Sequence, residues 1–211
     1  MPGKADKTLQ NSAIQGILRV TTSLICQYAC IIGYLATVAT SSDSEIEQEN
    51  FMIKVLFICH GNICRSPMAE FILKDIVTKR GIADQFEIAS AATSTEEIWN
   101  GVGNPVYPPA REELARHGIS CKGKRAVQLT ASDYDHYDYL IGMDSMNMRN
   151  IERMTGHRRG DKIYKMLEFA GRDTDVRDPW YSGNFRETYE DVVEGCQAFL
   201  DWLTINKKLS N

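Results

Sequence analysis

Strand-like and helix-like segments that alternate along the chain predict an α/β fold, a small four-stranded parallel sheet with helices on both faces. Two observations carry this. The run at 53–58, with Val55, Leu56 and Phe57, is short and mostly apolar, as in a strand buried on both faces. A helical period then follows, with Met68, Ile72 and Ile76 at four-residue spacing.

The elements follow in order. Ser66-Pro67 reads as a helix start, with Ser at the cap and Pro in the first turn, and Gly81 ends that helix. Residues 86–90 form a second strand. A loop marked by Gly101, Gly103, Pro105, Pro108 and Pro109 leads to a helix at 110–117, stopped by Gly118. A third strand at 137–142 carries Tyr139, Leu140 and Ile141 and precedes a helix at 145–155. A short strand at 162–164 and a last helix at 185–203, with Val192, Cys196, Phe199 and Leu203 on one face, complete the pattern.

Residues 1–50 differ from the rest. Lys4, Lys7 and Arg19 precede an uncharged stretch at 20–42, and Asp43, Glu45, Glu47 and Glu49 follow it. The stretch is long enough for a membrane-spanning helix, and small residues at 37–39 would suit signal cleavage. Thr21, Thr22, Ser23, Gln27, Thr37 and Thr40 weaken both readings. Met52 stands directly before the first core strand, so 1–50 reads as an extension or an over-long start, with anchor and signal as alternatives. The domain itself is expected at 51–206. A membrane is a partner only if residues 20–42 act as an anchor.

The formal charge is −4, so no basic surplus exists to neutralise phosphates, which argues against nucleic acid as a partner. The basic cluster at 149–159 reads as a solvated face. Six cysteines, at 26, 30, 59, 64, 121 and 196, fit neither zinc spacing nor a disulfide framework. They indicate a reducing, cytoplasmic setting. His60, His117, His136 and His157 show no metal-ligand spacing.

Residues 59–65, Cys-His-Gly-Asn-Ile-Cys-Arg, follow the first strand and precede its helix. Parallel sheets bind ligands at that end of their strands, where backbone N–H groups and a helix dipole meet an anion. Gly61 and Asn62 suit the left-handed backbone such a loop needs. The same field favours a thiolate, the nucleophilic form of cysteine, which makes Cys59 the candidate nucleophile. Arg65 offers a planar fork to two phosphoryl oxygens, and Ser66 a hydroxyl to the Cys59 sulfur as it leaves. Cys-x5-Arg alone is a weak signal, and a buried structural cysteine is the plain alternative. The Gly-Asn pair, the strand before and the Ser-Pro after decide for a phosphate site.

The stretch Ile58-Cys59-His60-Gly61-Asn62-Ile63-Cys64-Arg65-Ser66-Pro67-Met68-Ala69-Glu70 closely resembles the signature of low-molecular-weight protein tyrosine phosphatases. The resemblance spans roughly residues 53–204. It implies a flavodoxin-like fold of the phosphotyrosine phosphatase I type and metal-free, cofactor-free hydrolysis through a cysteinyl-phosphate. Phosphotyrosine-containing proteins or small aryl phosphates are the implied partners. Within it, His60, Gly61, Asn62, Ile63, Cys64 and Ser66 line the substrate loop, and Ser90 resembles the serine that bonds Asn62. Asp178-Pro179-Trp180-Tyr181 looks like the segment whose Asp protonates the leaving group, with Trp180 and Tyr181 on one pocket wall and Trp99 opposite. Asp173 and Asp175 are rival acids without the following Pro and aromatics. Cys64 matches a second loop cysteine able to pair reversibly with Cys59, the alternative being a packing residue. Met143-Asp144 with Asn147 resembles a supporting segment.

Three other readings compete. A branch of the family acts on phosphoarginine and tends to carry Thr where this chain has Ile63, so Ile63 favours tyrosine. Arsenate reduction needs a close cysteine pair after the loop, which Cys121 and Cys196 do not provide. A silent phosphotyrosine-binding module would not need Cys59, Arg65 and Asp178 together.

Overall fold

A computed structural model of the chain describes residues 52–158 and 161–209. The readings of 1–50, the anchor at 20–42, Cys26, Cys30 and Arg159 lie outside the described residues. Among the described residues no helix is long and apolar enough to cross a membrane.

The central strand β1 (Ile53–Cys59) pairs in parallel with β2 (Phe86–Ala92) on one side and β5 (Tyr139–Gly142) on the other. β6 (Ile163–Lys165) pairs in parallel with β5, so the sheet order is β2-β1-β5-β6. A separate two-stranded ribbon, β3 (Ile98–Trp99) and β4 (Val102–Gly103), interrupts the long connection after β2.

Side chains alternate across β1, as strand geometry requires. Ile53, Val55, Phe57 and Cys59 point into the larger core, with Met68, Ile72 and Leu73 of helix α1 (Arg65–Lys79). Leu114 of α2 (Pro108–Arg116) and Val192, Phe199 and Leu203 of the last long helix, Phe185–Ile205, fill the same layer. Leu56 and Ile58 point the other way, onto Leu140, Leu129 and Ile151. Ile151 belongs to the helix Ser145–Met154, so helices cover both faces of the sheet.

The remaining helices are the short α3 (Asp133–His136), then α4 (Ser145–Met154), α5 (Pro179–Ser182) and α6 (Phe185–Ile205). Element boundaries differ from the sequence reading for local reasons. Ser66 is not a helix cap: α1 already begins at Arg65, and its preceding residue Cys64 makes no side-chain cap bond. The third strand starts at Tyr139 rather than 137: the Asp138 N–H donates to the Lys54 carbonyl at 2.9 Å, but the Lys54 N–H is taken by the Asp138 carboxylate, at 2.9 Å, and not by a backbone carbonyl. Pro108 and Pro109 open α2 instead of preceding it, since a missing N–H costs nothing in a first turn.

Gly103 is placed by a close approach. A Cβ there would meet the Ala126 carbonyl oxygen at 1.8 Å, and that oxygen is backbone that has no rotamer to escape into. Gly103→Ala is therefore expected to destabilise the fold by about 3 kcal/mol, the upper end of overpacking costs. The lowered midpoint of a urea unfolding curve measures it, and an unchanged midpoint refutes the close approach.

Candidate active site

β1 ends at Cys59 and α1 starts at Arg65, so the five residues between turn the chain sharply over the carboxyl end of the sheet. Neighbouring segments pin that turn through its backbone. Thr93 N–H donates to the Cys59 carbonyl at 2.9 Å, Ser94 N–H to the His60 carbonyl at 2.9 Å, and Tyr107 N–H to the Ile63 carbonyl at 2.9 Å.

Asn62 is the hinge of the loop. Its φ is 55°, the left-handed region that Asn tolerates better than most residues. Gly61 does not share this conformation. Its hydrogen side chain answers a different need, for a Cβ there would stand 3.0 Å from the Glu97 side chain.

The Asn62 side chain, itself fully buried, makes all its bonds within the protein. Its oxygen accepts the Val127 N–H at 3.0 Å, which fixes the orientation of the amide. Its nitrogen donates to Ser66 Oγ at 2.8 Å and to Ser90 Oγ at 2.8 Å. Ser90 donates onward to Glu70 Oε2 at 2.6 Å. Ser66 Oγ, which accepts from Asn62, lies 3.0 Å from the Cys59 sulfur and 3.5 Å from the Ala91 carbonyl, and the shorter contact takes its proton toward the sulfur. Asn62 N–H lies 3.3 Å from the same sulfur. The Asn62 N–H and the Ser66 hydroxyl thus both face Cys59, an arrangement that stabilises negative charge on sulfur, while the Ser90 proton runs the other way, to Glu70.

Glu70 anchors the far end. Burial alone would raise its pKa, but Lys124, with hydrogen bonds from Lys74, Ser90 and Lys124, brings it below its ordinary value. The Lys124 ammonium lies 2.9 Å and the Lys74 ammonium 2.6 Å from its carboxylate. Sequence reasoning quoted Glu70 within the motif without giving it a role, and passed over Lys124.

Arg65 is 3% exposed. Its Nη1 donates to Asp144 Oδ2 at 2.7 Å and to the Val176 carbonyl at 3.2 Å, and its Nη2 donates to Asp178 Oδ2 at 2.7 Å. Burial pulls its pKa down, and Cys59, Asp178 and Asp144 more than offset this, leaving the guanidinium above its usual value. Asp144 also caps α4, accepting Asn147 N–H at 2.6 Å, while Asn147 accepts Met143 N–H at 3.2 Å. The supporting segment at 143–147 thus holds the arginine directly.

Asp178 caps α5 through the Trp180 N–H at 3.0 Å, and the Pro179 ring preorganises that turn. The rival carboxylates are committed elsewhere. Asp173 and Asp175 pair with Lys165, and Asp175 also accepts from Ser145.

A cavity of about 190 Å³ brings these groups together, lined by Cys59, His60, Gly61, Ile63, Cys64, Arg65, Asp178, Trp180 and Tyr181. The Asn62 and Ser66 side chains are buried behind it, as positioning groups. Trp180 is held by Tyr107, whose ring centroid is 5.2 Å away, a contact with no advance signal in the sequence. Trp99 is not in the cavity. It sits in β3 of the ribbon and is 71% exposed, and the wall assigned to it is formed by Glu96 and Glu97. Glu96 also bonds the His60 ring at 2.9 Å.

Known proteins resemble the chain over the same region. The family model described as "Low molecular weight phosphotyrosine protein phosphatase" matches residues 54–211. The Low molecular weight protein-tyrosine-phosphatase YfkJ of Bacillus subtilis is 38% identical over 160 residues, 75% of this chain and 100% of that protein. The crystal structure of YfkJ aligns with a TM-score of 0.69, covering 74% of this chain and 97% of that one. SP-PTP, a low molecular weight protein tyrosine phosphatase from Streptococcus pyogenes, is 42% identical, with a TM-score of 0.63 over 76% of this chain and 95% of its own. DARP, a drosophila arginine phosphatase, is 32% identical, with a TM-score of 0.63 over 71% and 96%.

Cys64 gives this site a pH dependence of stability. Burial first, then the neighbouring Cys59 and Asp178, push its pKa up to about 12, whereas an unfolded thiol titrates near about 8.5. The folded chain holds the Cys64 proton more tightly. Its contribution is complete below about pH 8.5 and is lost progressively as pH rises toward 12. Cys64→Ser is expected to flatten the alkaline fall in the denaturation midpoint between about pH 8.5 and 11. Parallel slopes in the two proteins would refute this.

Proposed function

The chain belongs to the low molecular weight phosphotyrosine protein phosphatase family, a family of cysteine-based hydrolases, and on that premise we propose that Cys59, Arg65 and Asp178 hydrolyse phosphotyrosine esters. One observation carries the assignment: a single cavity holds the Cys59 loop, the buried Arg65 and the Asp178 carboxylate bonded to it at 2.7 Å.

In the first step the Cys59 sulfur attacks phosphorus and the bond to the phenolic oxygen breaks. Arg65 and loop N–H groups hold the charge on the equatorial oxygens. Asp178 delivers its proton to the departing phenolate. In the second step Asp178 takes a proton from water, the water oxygen attacks phosphorus, and the sulfur–phosphorus bond breaks. The electron pair returns to the Cys59 sulfur as a thiolate, to which the Ser66 hydroxyl donates a hydrogen bond. Inorganic phosphate leaves.

Ile63 and the Trp180–Tyr181 wall present apolar surface beside the nucleophile, which supports an aromatic ester over a polar phosphoramidate. The likeness to an arginine phosphatase favours a second reading, phosphoarginine hydrolysis at the same cysteine. The partners proposed are phosphotyrosine-containing proteins or small aryl phosphates. Cys59, Cys64, Cys121 and Cys196 are all free and buried, which supports a reducing, cytoplasmic setting. The domain proposed to carry the activity is 51–206, with 1–50 as an extension.

Cys59→Ser is expected to abolish turnover of p-nitrophenyl phosphate while leaving the thermal midpoint within a few degrees. Retained turnover refutes the nucleophile. Asp178→Ala is expected to lower kcat on phenyl phosphate by about 10²–10⁴-fold, the usual worth of a positioned acid. It should do so less on esters with better leaving groups, which need less protonation; a uniform loss refutes the acid role. Phosphotyrosine peptides are expected to outpace phosphoarginine peptides in kcat/KM, and the reverse order would select the second reading.

A further inference from the structure

A cavity larger than the one at Cys59 lies away from it. It measures about 470 Å³ and sits between α2 and the segment 118–124. That is well above the 190 Å³ of the active-site cavity and within the ~300–1,000 Å³ typical of small-molecule sites.

Its composition is one-sided. The floor is apolar, from Val106, Ile119 and Cys121, all buried. Three cations, Arg111, Lys122 and Lys124, line it, and no carboxylate does. Among the described residues Arg111 and Lys122 have no ion-pair partner, whereas Lys124 has Glu70. An apolar floor below unneutralised cations suits a small anion with an apolar body. Arg111 supplies a fork for a carboxylate or phosphate head.

The third cation links this cavity to the catalytic loop. Lys124 belongs to the cavity wall and also donates to the Ser90 carbonyl at 3.0 Å while holding Glu70 at 2.9 Å. Glu70 orients Ser90, Ser90 orients Asn62, and Asn62 orients Ser66 against Cys59. An ammonium has three donors, so an anion in the cavity draws on the third and weakens the other two.

We infer that this cavity is an effector site for a small organic anion, and that its occupancy slows catalysis at Cys59 through Lys124, Glu70 and Asn62. The coupling rests on the catalytic reading of the Cys59 loop; the cavity and its preference for anions do not.

The test uses the full chain and 1-naphthoate as probe, with its neutral analogue 1-naphthalenemethanol. Calorimetry is run with inorganic phosphate saturating the active site. Naphthoate is expected to bind under that condition, and the neutral analogue at least tenfold more weakly. The double variant Arg111→Glu with Lys122→Glu, both at exposed positions, is expected to cut naphthoate affinity at least tenfold while melting at the same temperature. Bound naphthoate is expected to halve kcat on p-nitrophenyl phosphate, or lower it further, with KM unchanged. The double variant should escape that inhibition.

Loss of naphthoate binding when phosphate is added, with the same loss in the double variant, would place the probe in the active site and overturn the proposal. So would equal affinity in the double variant, or equal affinity of the neutral analogue. An unchanged kcat at saturating naphthoate overturns the coupling. A chain with no phosphatase activity at all would instead sink the catalytic reading, and calorimetry would still decide the cavity.

Discussion

The catalytic loop depends on one residue being held in an uncommon backbone conformation. Asn62 sits at φ 55°, where an L-residue is strained, and its amide is bonded on both sides. The two bonds from its nitrogen are buried, so neither competes with water, and a broken one would leave a bare polar group at a cost of about 1–3 kcal/mol. The strain is thus over-determined by its surroundings, the usual condition for its survival at a functional site. Everything downstream follows from it: the direction of the Ser66 proton, the position of the Cys59 sulfur and the path by which β2 and the 124–127 segment are felt at the loop.

The second constraint is charge. A guanidinium as buried as Arg65 requires compensation, and Asp144 and Asp178 supply it in the free protein. The two carboxylates are not equivalent. Asp144 is fixed by its capping of α4, while Asp178 begins a helix of only four residues whose following aromatic side chains are exposed. In the proposed reaction a phosphoryl group takes over the Arg65 fork, and the more loosely held partner is the one released. The same carboxylate that balances Arg65 is then, once protonated, the proposed proton donor of the reaction.

Much of this was legible in the sequence, where local rules and burial agree. The strand at 53–58 and the period of Met68, Ile72 and Ile76 announced a buried strand followed by a helix, and the loop between them announced its chemistry. Ser66 was read correctly as a partner of Cys59 and wrongly as a cap, because the two roles share one residue type and only the turn geometry separates them. Trp99 was placed on the pocket wall by analogy. The ribbon of β3 and β4 carries it outward and puts Glu96 and Glu97 there instead, a result of pairing that no local pattern announces. Lys124 and Tyr107 were invisible for a related reason: each meets its partner across a long sequence separation, and neither sits in a motif.

The bonds of Arg65 also bear on the order of events as the chain folds. Its two carboxylate partners lie 79 and 113 residues further along the chain. Contacts of such separation close late, since the entropy of long loops is lost before any contact offsets it. During synthesis Cys59 and Arg65 emerge well before β5 and α5 exist. Until those segments dock, the guanidinium has no counter-ion in the interior and the loop cannot settle around it. The candidate site is therefore complete only once β5 and α5 have docked, and turnover would report that they have done so.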